Sequence, residues 1–218
     1  IAWQGMRVAQ PVAGSDPLSP QVRMLPSAFL TAEMRLRVEA RLARWLATQC
    51  RSALAPLYAL RDAPLSGAVR GLAFQLGEAL GSMRRRDAAA QLAVLSSDDR
   101  RALRQFGVRL GVESVWIPAL LRPRALAMRA LLWSVFRAAP PLSPPAPGLV
   151  TVAPADGVPS AFYEAVGYRG CGARAVRIDI LERLAVRLLR LARKGPFALA
   201  ADMTSLLGLG AADTGGVI

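Results

Sequence analysis

Arg183, Arg187, Arg190 and Lys194 advance by four, three and four residues, which on a helix sets all four within about 60° of one another. Guanidinium keeps its charge at any relevant pH, forks onto phosphate oxygens and stacks on bases, so a stripe of this kind suits a polyanion. Leu181, Leu184, Leu188 and Leu191 occupy a different face that can pack inward, and Glu182 is the only acid from Ile180 to Arg193. Arg169, Arg174 and Arg177 lie just upstream, so eight basic residues stand against two acidic ones from Arg169 to Lys194. A second concentration opens with Arg84-Arg85-Arg86 and runs to Arg137, with eleven basic residues against four acidic. The plain alternative is a solvated face of an amphipathic helix, but such a face usually mixes both signs to limit repulsion. A membrane-surface helix fits less well, because the apolar side has leucine and alanine without a Trp or Phe anchor. Tyr168, set between Gly167 and Arg169, is the candidate for stacking on a base, whereas Trp3, Trp45, Trp116 and Trp133 sit among apolar neighbours and are expected in the core.

Other chemistry is poorly supplied. The chain has no histidine, which excludes Ser-His-Asp, Cys-His and other imidazole-based acid–base schemes. Cys50 and Cys171 are far apart in sequence and lack histidine partners for a common zinc site; they read as a buried small residue and a turn residue. The sole lysine, Lys194, is followed by Gly195-Pro196, so no phosphate-binding G-x-x-x-x-G-K-[ST] occurs. Asp98-Asp99 reads as the acidic start of a helix, and Gly67-x-x-x-Gly71 as a small-residue helix contact. Neither an enzymatic constellation nor a cofactor or metal site is expected in this segment.

The 218 residues are 53 % apolar, with 28 basic against 15 acidic side chains and a net charge of +13. This is enough chain for a real core and too apolar for a disordered one. Arginine supplies all the basic residues but one; a GC-rich coding bias would explain that choice, and the excess favours nucleic acid or an acidic protein surface either way. Ile1 to Val22 shows no signal-peptide pattern, and arginine or proline interrupts each apolar run, so no membrane span is expected. Two isolated cysteines suggest no disulfide framework, and the cytoplasm is the expected compartment. The start at Ile1 and the end at Thr214-Gly215-Gly216-Val217-Ile218 suggest a piece of a longer protein.

These residues need elements to hold them, and the pattern predicts a mainly α fold with a small N-terminal β-ribbon and minor β in the second half. Met6 to Ala9, bounded by Gly5 and Pro11, and Gln21 to Met24 are expected to form short strands that pair. Thr31 caps a long helix whose stripe Met34, Val38, Leu42 and Trp45 faces a core, and Pro56 ends or kinks it near Leu54. Further helices are predicted from Ser66 to about Leu80, from Asp87 to Leu95, from Ser97 (as cap) to Phe106, and from Pro123 to Phe136. A turn and short extended piece fill Gly107 to Pro118, and five prolines from Pro140 to Pro147 make a stiff connector. The expected organisation is therefore 1–138, a connector at 139–148, and a small α+β unit at 149–218. In the last, Leu149 to Val152 is a strand, Ser160 to Val166 a helix, Gly167 to Gly172 a tight turn and Ala175 to Ile178 a strand. Asp179 caps a helix from Ile180 to Arg193, stopped by Gly195-Pro196, and Met203 to Leu207 begins a last one.

Several strings then matter in their order. Ile1-x-Trp3-x-Gly5 is followed by Val8-Ala9 and Leu18-x-Pro20; Gly67-x-x-Arg70-Gly71-Leu72-Ala73-Phe74 precedes Gly107-Val108-Arg109-x-Gly111. Ile117-Pro118-Ala119-Leu120-Leu121-Arg122-Pro123, Ala130-Leu131-Leu132-Trp133 and Phe162-Tyr163-Glu164-Ala165-x-Gly167-Tyr168-Arg169 complete the set. Over roughly residues 1 to 207 the chain resembles the region after the motor domains in alphaproteobacterial superfamily 2 helicases, which are similar to the ATP-dependent RNA helicase of the mitochondrial degradosome. The resemblance implies a largely helical part that closes over nucleic acid, with ATP and Mg bound by two RecA-like domains outside this segment. No Walker A, DExH or arginine-finger string can be placed here, and no family motif carries RNA contacts onto individual residues. The expected function is a non-catalytic clamp on single-stranded RNA or DNA, using Arg183, Arg187, Arg190 and Lys194, with Arg84, Arg85 and Arg86 extending the track. The alternative is a platform that docks on the motor domains or on an acidic partner such as a nuclease or chaperone; a stand-alone enzyme is a weaker third. The clamp requires guanidinium groups gathered along one exterior path and not sealed by carboxylates.

Overall fold

A computed structural model of the protein describes residues 1–3, 5–27, 30–65, 67–198 and 200–218, leaving aside the side chains of residues 3 and 211. Ten α-helices and ten short strands among these residues make a mainly α fold with minor antiparallel β. The chain opens with β1 (Ala2–Trp3) paired to β2 (Met6–Arg7), and then β3 (Ala9–Val12) pairs with β4 (Gln21–Met24) in the register Ala9↔Met24 to Val12↔Gln21. Pro11 lies within β3 instead of bounding it, which a two-stranded ribbon tolerates because both of its strands are edges. The ribbon buries Ala9, Leu18 and Val22 in the main core, and the Tyr58 hydroxyl donates to the Leu18 carbonyl.

Helix α1 (Ala32–Ala53) starts as the sequence predicts, with Thr31 Oγ1 accepting the Met34 N–H at 3.3 Å. Its buried positions are Leu46 and Cys50, whereas Met34 and Trp45 are 49 % and 48 % exposed. The expected stripe therefore faces a core only in part, because only the C-terminal half of α1 reaches one. Leu54 closes α1, and Pro56 falls in the first turn of α2 (Ala55–Asp62), a helix the sequence reading did not separate. Helix α3 (Gly67–Glu78) follows; the start expected at Ser66 lies outside the described residues. Gly71 and Gly77 have room for a methyl group beside Gln91 and Leu18, so neither is required for a close helix contact.

Strand β5 (Ser82–Arg84) leads through a 3-10 turn at Arg85–Ala88 into α4 (Ala89–Ala93). Helix α5 (Ser97–Gln105) is capped by Ser96, one residue earlier than expected, and Asp99 reciprocates the cap by accepting from the Ser96 backbone. Strands β6 (Arg109–Leu110) and β7 (Ser114–Trp116) complete a sheet in the order β5-β7-β6, and α6 (Pro123–Phe136) begins at Pro123 as predicted. After the prolines come β8 (Thr151–Val152), α7 (Ser160–Ala165), β9 (Tyr168–Cys171) and β10 (Arg174–Arg177), with sheet order β8-β10-β9. Tyr168 to Cys171 is thus a strand and not a turn; the reversal falls on Gly172, whose φ of 58° suits glycine. β10 runs directly into α8 (Ile178–Ala192), so Arg177 is the cap and Asp179 lies in the first turn. Two helices follow, α9 (Ala201–Leu207) and α10 (Ala211–Val217), where one was expected.

The main core gathers residues from Ala9 to Ala175, including Phe162, Tyr163 and Tyr168 from beyond the prolines, with Ala139 and Leu142 packed on it. The proline-rich segment therefore crosses the surface of one core. A second cluster joins Val176, Ile180, Leu184, Met203 and Leu207. The two cores meet within β10, where Ala175 and Val176 point to opposite faces by the period-two alternation of a strand.

Candidate nucleic-acid interface

Helix α8 is held across the sheet by the one acid in its middle. The buried Glu182 carboxylate accepts three successive backbone N–H groups, from Val112 at 2.6 Å, Glu113 at 2.9 Å and Ser114 at 2.7 Å. Consecutive amides in a turn make a concave cradle for an anion, and here the anion is supplied by the protein itself. Gly111 makes room for it: a β-carbon there would collide with the carboxylate and stand 2.6 Å from the Trp116 ring. Glu182 is consequently not a free negative charge facing solvent.

On the two sides of this turn lie adjoining cavities of about 880 and 1180 Å³ that share Arg85, Arg100 and Val112. Arg84, Arg86 and Arg169 complete the basic lining of the first, and Arg104, Arg109 and Arg183 that of the second. Arg85 and Arg100 donate to the Gly111 and Leu92 carbonyls at 2.7 and 3.0 Å, and Arg104, Arg109 and Arg183 are exposed. Among the described residues none of these five is paired with a carboxylate. The acids at the groove are Glu113, Glu182 and Asp179; the last takes Arg177 Nε at 2.7 Å and Nη2 at 3.0 Å. The result is a groove of guanidinium groups interleaved with apolar side chains such as Leu181, Leu184, Trp116 and Val186.

The residues singled out from sequence are dispersed by the fold. Arg183 lines the second cavity, but Arg187 is ion-paired with Asp202 on α9. Arg190 and Lys194 are exposed farther along the chain and line neither cavity. Arg174 is bonded to Asp213 at 2.9 Å and Arg177 to Asp179, so both brace the fold. Arg84 is paired with Glu164 while lining the first cavity, and Arg86 lies 3.6 Å from Asp87. Arg169 is not on the exterior at all: it is 3 % exposed, and burial pushes its guanidinium below its ordinary value.

Tyr168 corrects a second expectation. It is 1 % exposed, and its hydroxyl donates to the Leu149 carbonyl at 2.6 Å, so no base can stack on it. Trp133 packs edge-on against Phe162 in the core as expected, Trp116 is buried beside the second cavity, and Trp45 is exposed. Arg100, Arg104 and Arg109 were not picked out individually. Their signal was the charge excess from Arg84 to Arg137 and the four-residue step from Arg100 to Arg104 on a short helix.

Among the described residues no group of three or more Cys, Asp or Glu side chains is placed to hold a metal, and no helix is long and apolar enough to cross a membrane. Comparison with protein-family models, curated proteins and solved structures finds no match to this chain.

Proposed function

We propose that the chain is a non-catalytic clamp that holds single-stranded nucleic acid, RNA first, by arginine–phosphate contacts in the groove between α5 and α8. The observation that supports this is the set of five arginines there, Arg85, Arg100, Arg104, Arg109 and Arg183, without carboxylate partners among the described residues. Contacts of this type grip the backbone without reading sequence, as a translocating motor requires. The placement of this clamp behind the motor domains of an ATP-dependent RNA helicase rests on the ordered strings from Ile1 to Arg169. In that setting ATP and Mg belong to the motor domains, the partners are those domains and a nuclease, and the compartment is the cytoplasm.

The competing reading, a docking platform, draws on Met34 and Trp45, which are eleven positions apart on one face of α1 and half exposed. Fluorescence anisotropy with a short single-stranded RNA at about 0.1 M salt separates the two. The clamp predicts micromolar binding, weakened about 100-fold when Arg104, Arg109 and Arg183 are all replaced by Gln, because each lost phosphate contact removes roughly 0.7 from the salt slope. Absence of binding by the unaltered protein would favour the platform.

A further inference from the structure

Helix α1 is longer than the core that receives it. Leu42, Leu46, Cys50 and Ala53 pack on the main core, but the stretch from Ala32 to Arg41 places no side chain in either cluster. Along the outer side of the helix Met34, Val38, Arg41 and Trp45 advance by four, three and four residues, so they stand within about 60° of one another. Met34, Arg41 and Trp45 are exposed and Val38 is half-buried. Tryptophan is the side chain that most often anchors an interface, and methionine adapts its shape to what it meets. Arg37 and Arg44 form the adjoining row, about 20° apart.

Charge decides what can lie on this ridge. Helix α1 carries five arginines against two glutamates, and Arg37 already engages Glu33 at 2.6 Å. Arg41 and Arg44 have no carboxylate partner among the described residues. A second copy of the chain would set arginine against arginine, and the two would repel. A nucleic-acid strand would meet the arginines but leave Met34 and Val38 without an apolar partner. An acidic amphipathic helix satisfies both rows. Its apolar side chains, at three- and four-residue spacing, meet Met34, Val38 and Trp45, and carboxylates along its edge meet Arg41 and Arg44.

We propose that this ridge of α1 docks an acidic amphipathic helix of a partner protein. Docking there rests on the platform reading of α1 above, yet it does not compete with the clamp: α1 lines neither cavity of the groove, so a strand and a partner helix can be held together.

The test uses the full chain and a labelled synthetic helical peptide about five turns long, with leucine at three- and four-residue spacing and glutamate on both flanks. A matched peptide carries lysine in place of glutamate. The acidic peptide is expected to bind in the micromolar range, with a blue shift in tryptophan emission that Trp45→Phe abolishes. The lysine peptide should bind about tenfold more weakly, and joint Met34→Ser and Trp45→Ser should weaken the acidic peptide by about the same factor. Joint Arg41→Glu and Arg44→Glu should reverse the preference between the two peptides, which a merely damaged helix would not do. These four positions are exposed, so the circular dichroism spectrum and melting temperature should stay as they are. Replacing Arg104, Arg109 and Arg183 by Gln should leave peptide binding unchanged, so failure of the groove and failure of the ridge are read separately. Equal affinity for the two peptides, or binding of neither, overturns the proposal and leaves the clamp standing. If the Met34 and Trp45 variant loses RNA instead of peptide, the ridge belongs to the strand. If that variant abolishes a concentration-dependent dimer of the unaltered chain, the ridge belongs to a second copy. Either result overturns the acidic partner.

Discussion

Arg129 is 0 % exposed, and among the described residues its guanidinium has only the Leu120 carbonyl and the Ser82 hydroxyl as acceptors. Burial, reinforced by repulsion from Arg169, pushes it down to about 9. A base held below its ordinary value adds stability that is present above the ordinary guanidinium range and lost as the pH falls through 9, so at neutral pH Arg129 is a standing cost. Tyr58 works in the opposite direction. The guanidinium groups of Arg51 and Arg61 lie over its ring, at 4.9 and 4.7 Å from the centroid, and burial pushes its phenol up to about 12. The neutral phenol adds stability that is complete below pH 10 and is lost as the pH rises through 12. Tyr58→Phe should therefore cost about 1 kcal/mol at pH 8 through the lost hydrogen bond to Leu18. By pH 11 that deficit should have been offset by about 1.4 kcal/mol, because the variant has no phenol to ionise. Urea denaturation at the two pH values reads this directly, and a variant deficit that stays constant between them would refute the assignment.

The same logic of buried charge explains how a helix is fixed to a turn. Glu182→Ala would strand three amide donors at residues 112–114, and an expected loss of about 3 kcal/mol follows from leaving buried donors unpaired. Gly111→Ala attacks the same joint from the other side by pressing a methyl group into the carboxylate and the Trp116 ring, at about 1–3 kcal/mol. Chemical denaturation checks both, and a loss below about 0.5 kcal/mol for Glu182→Ala would show that α8 is held by its leucines alone. Joints of this sort separate what the sequence discloses from what it hides. Thr31, Pro123 and Gly195 mark helix ends by local chemistry, and the beginning of α1, the beginning of α6 and the end of α8 fall where those residues predict. The sequence around β9 reads locally as a turn because Gly170 lies within it and Gly167 and Gly172 flank it, yet four residue pairings to β10 decide its state. The site divides in the same way. Arg84 to Arg86 and Arg183 were visible as charge at helical or consecutive spacing, whereas the carboxylates that engage Arg187 and Arg174 come from Asp202 and Asp213, which no local pattern links to them. Nor does sequence spacing distinguish the buried Arg169 from an exposed one.

At the scale of the molecule, an excess of +13 will attract any polyanion, and attraction alone does not establish a groove. Salt dependence can separate the two, because only cations that displace counterions from phosphates enter the slope of log K against log salt. Five carboxylate-free arginines in the groove give an expected slope near −3.5 on a single strand, at roughly −0.7 for each phosphate neutralised. Replacing Arg104, Arg109 and Arg183 by Gln should flatten it to about −1.4. Arg190 on α8 and Lys194 just beyond its end carry charge outside both cavities, so their joint replacement by Gln lowers the net charge by two and should leave the slope unchanged. A protein that bound by diffuse attraction would lose slope per charge removed, with no regard to which face bore it. Equal effects per charge from the triple and the double variant would therefore return the function to the surface as a whole. A loss confined to the triple variant would fix the strand between α5 and α8, where the Glu182 joint holds the two cavities in line.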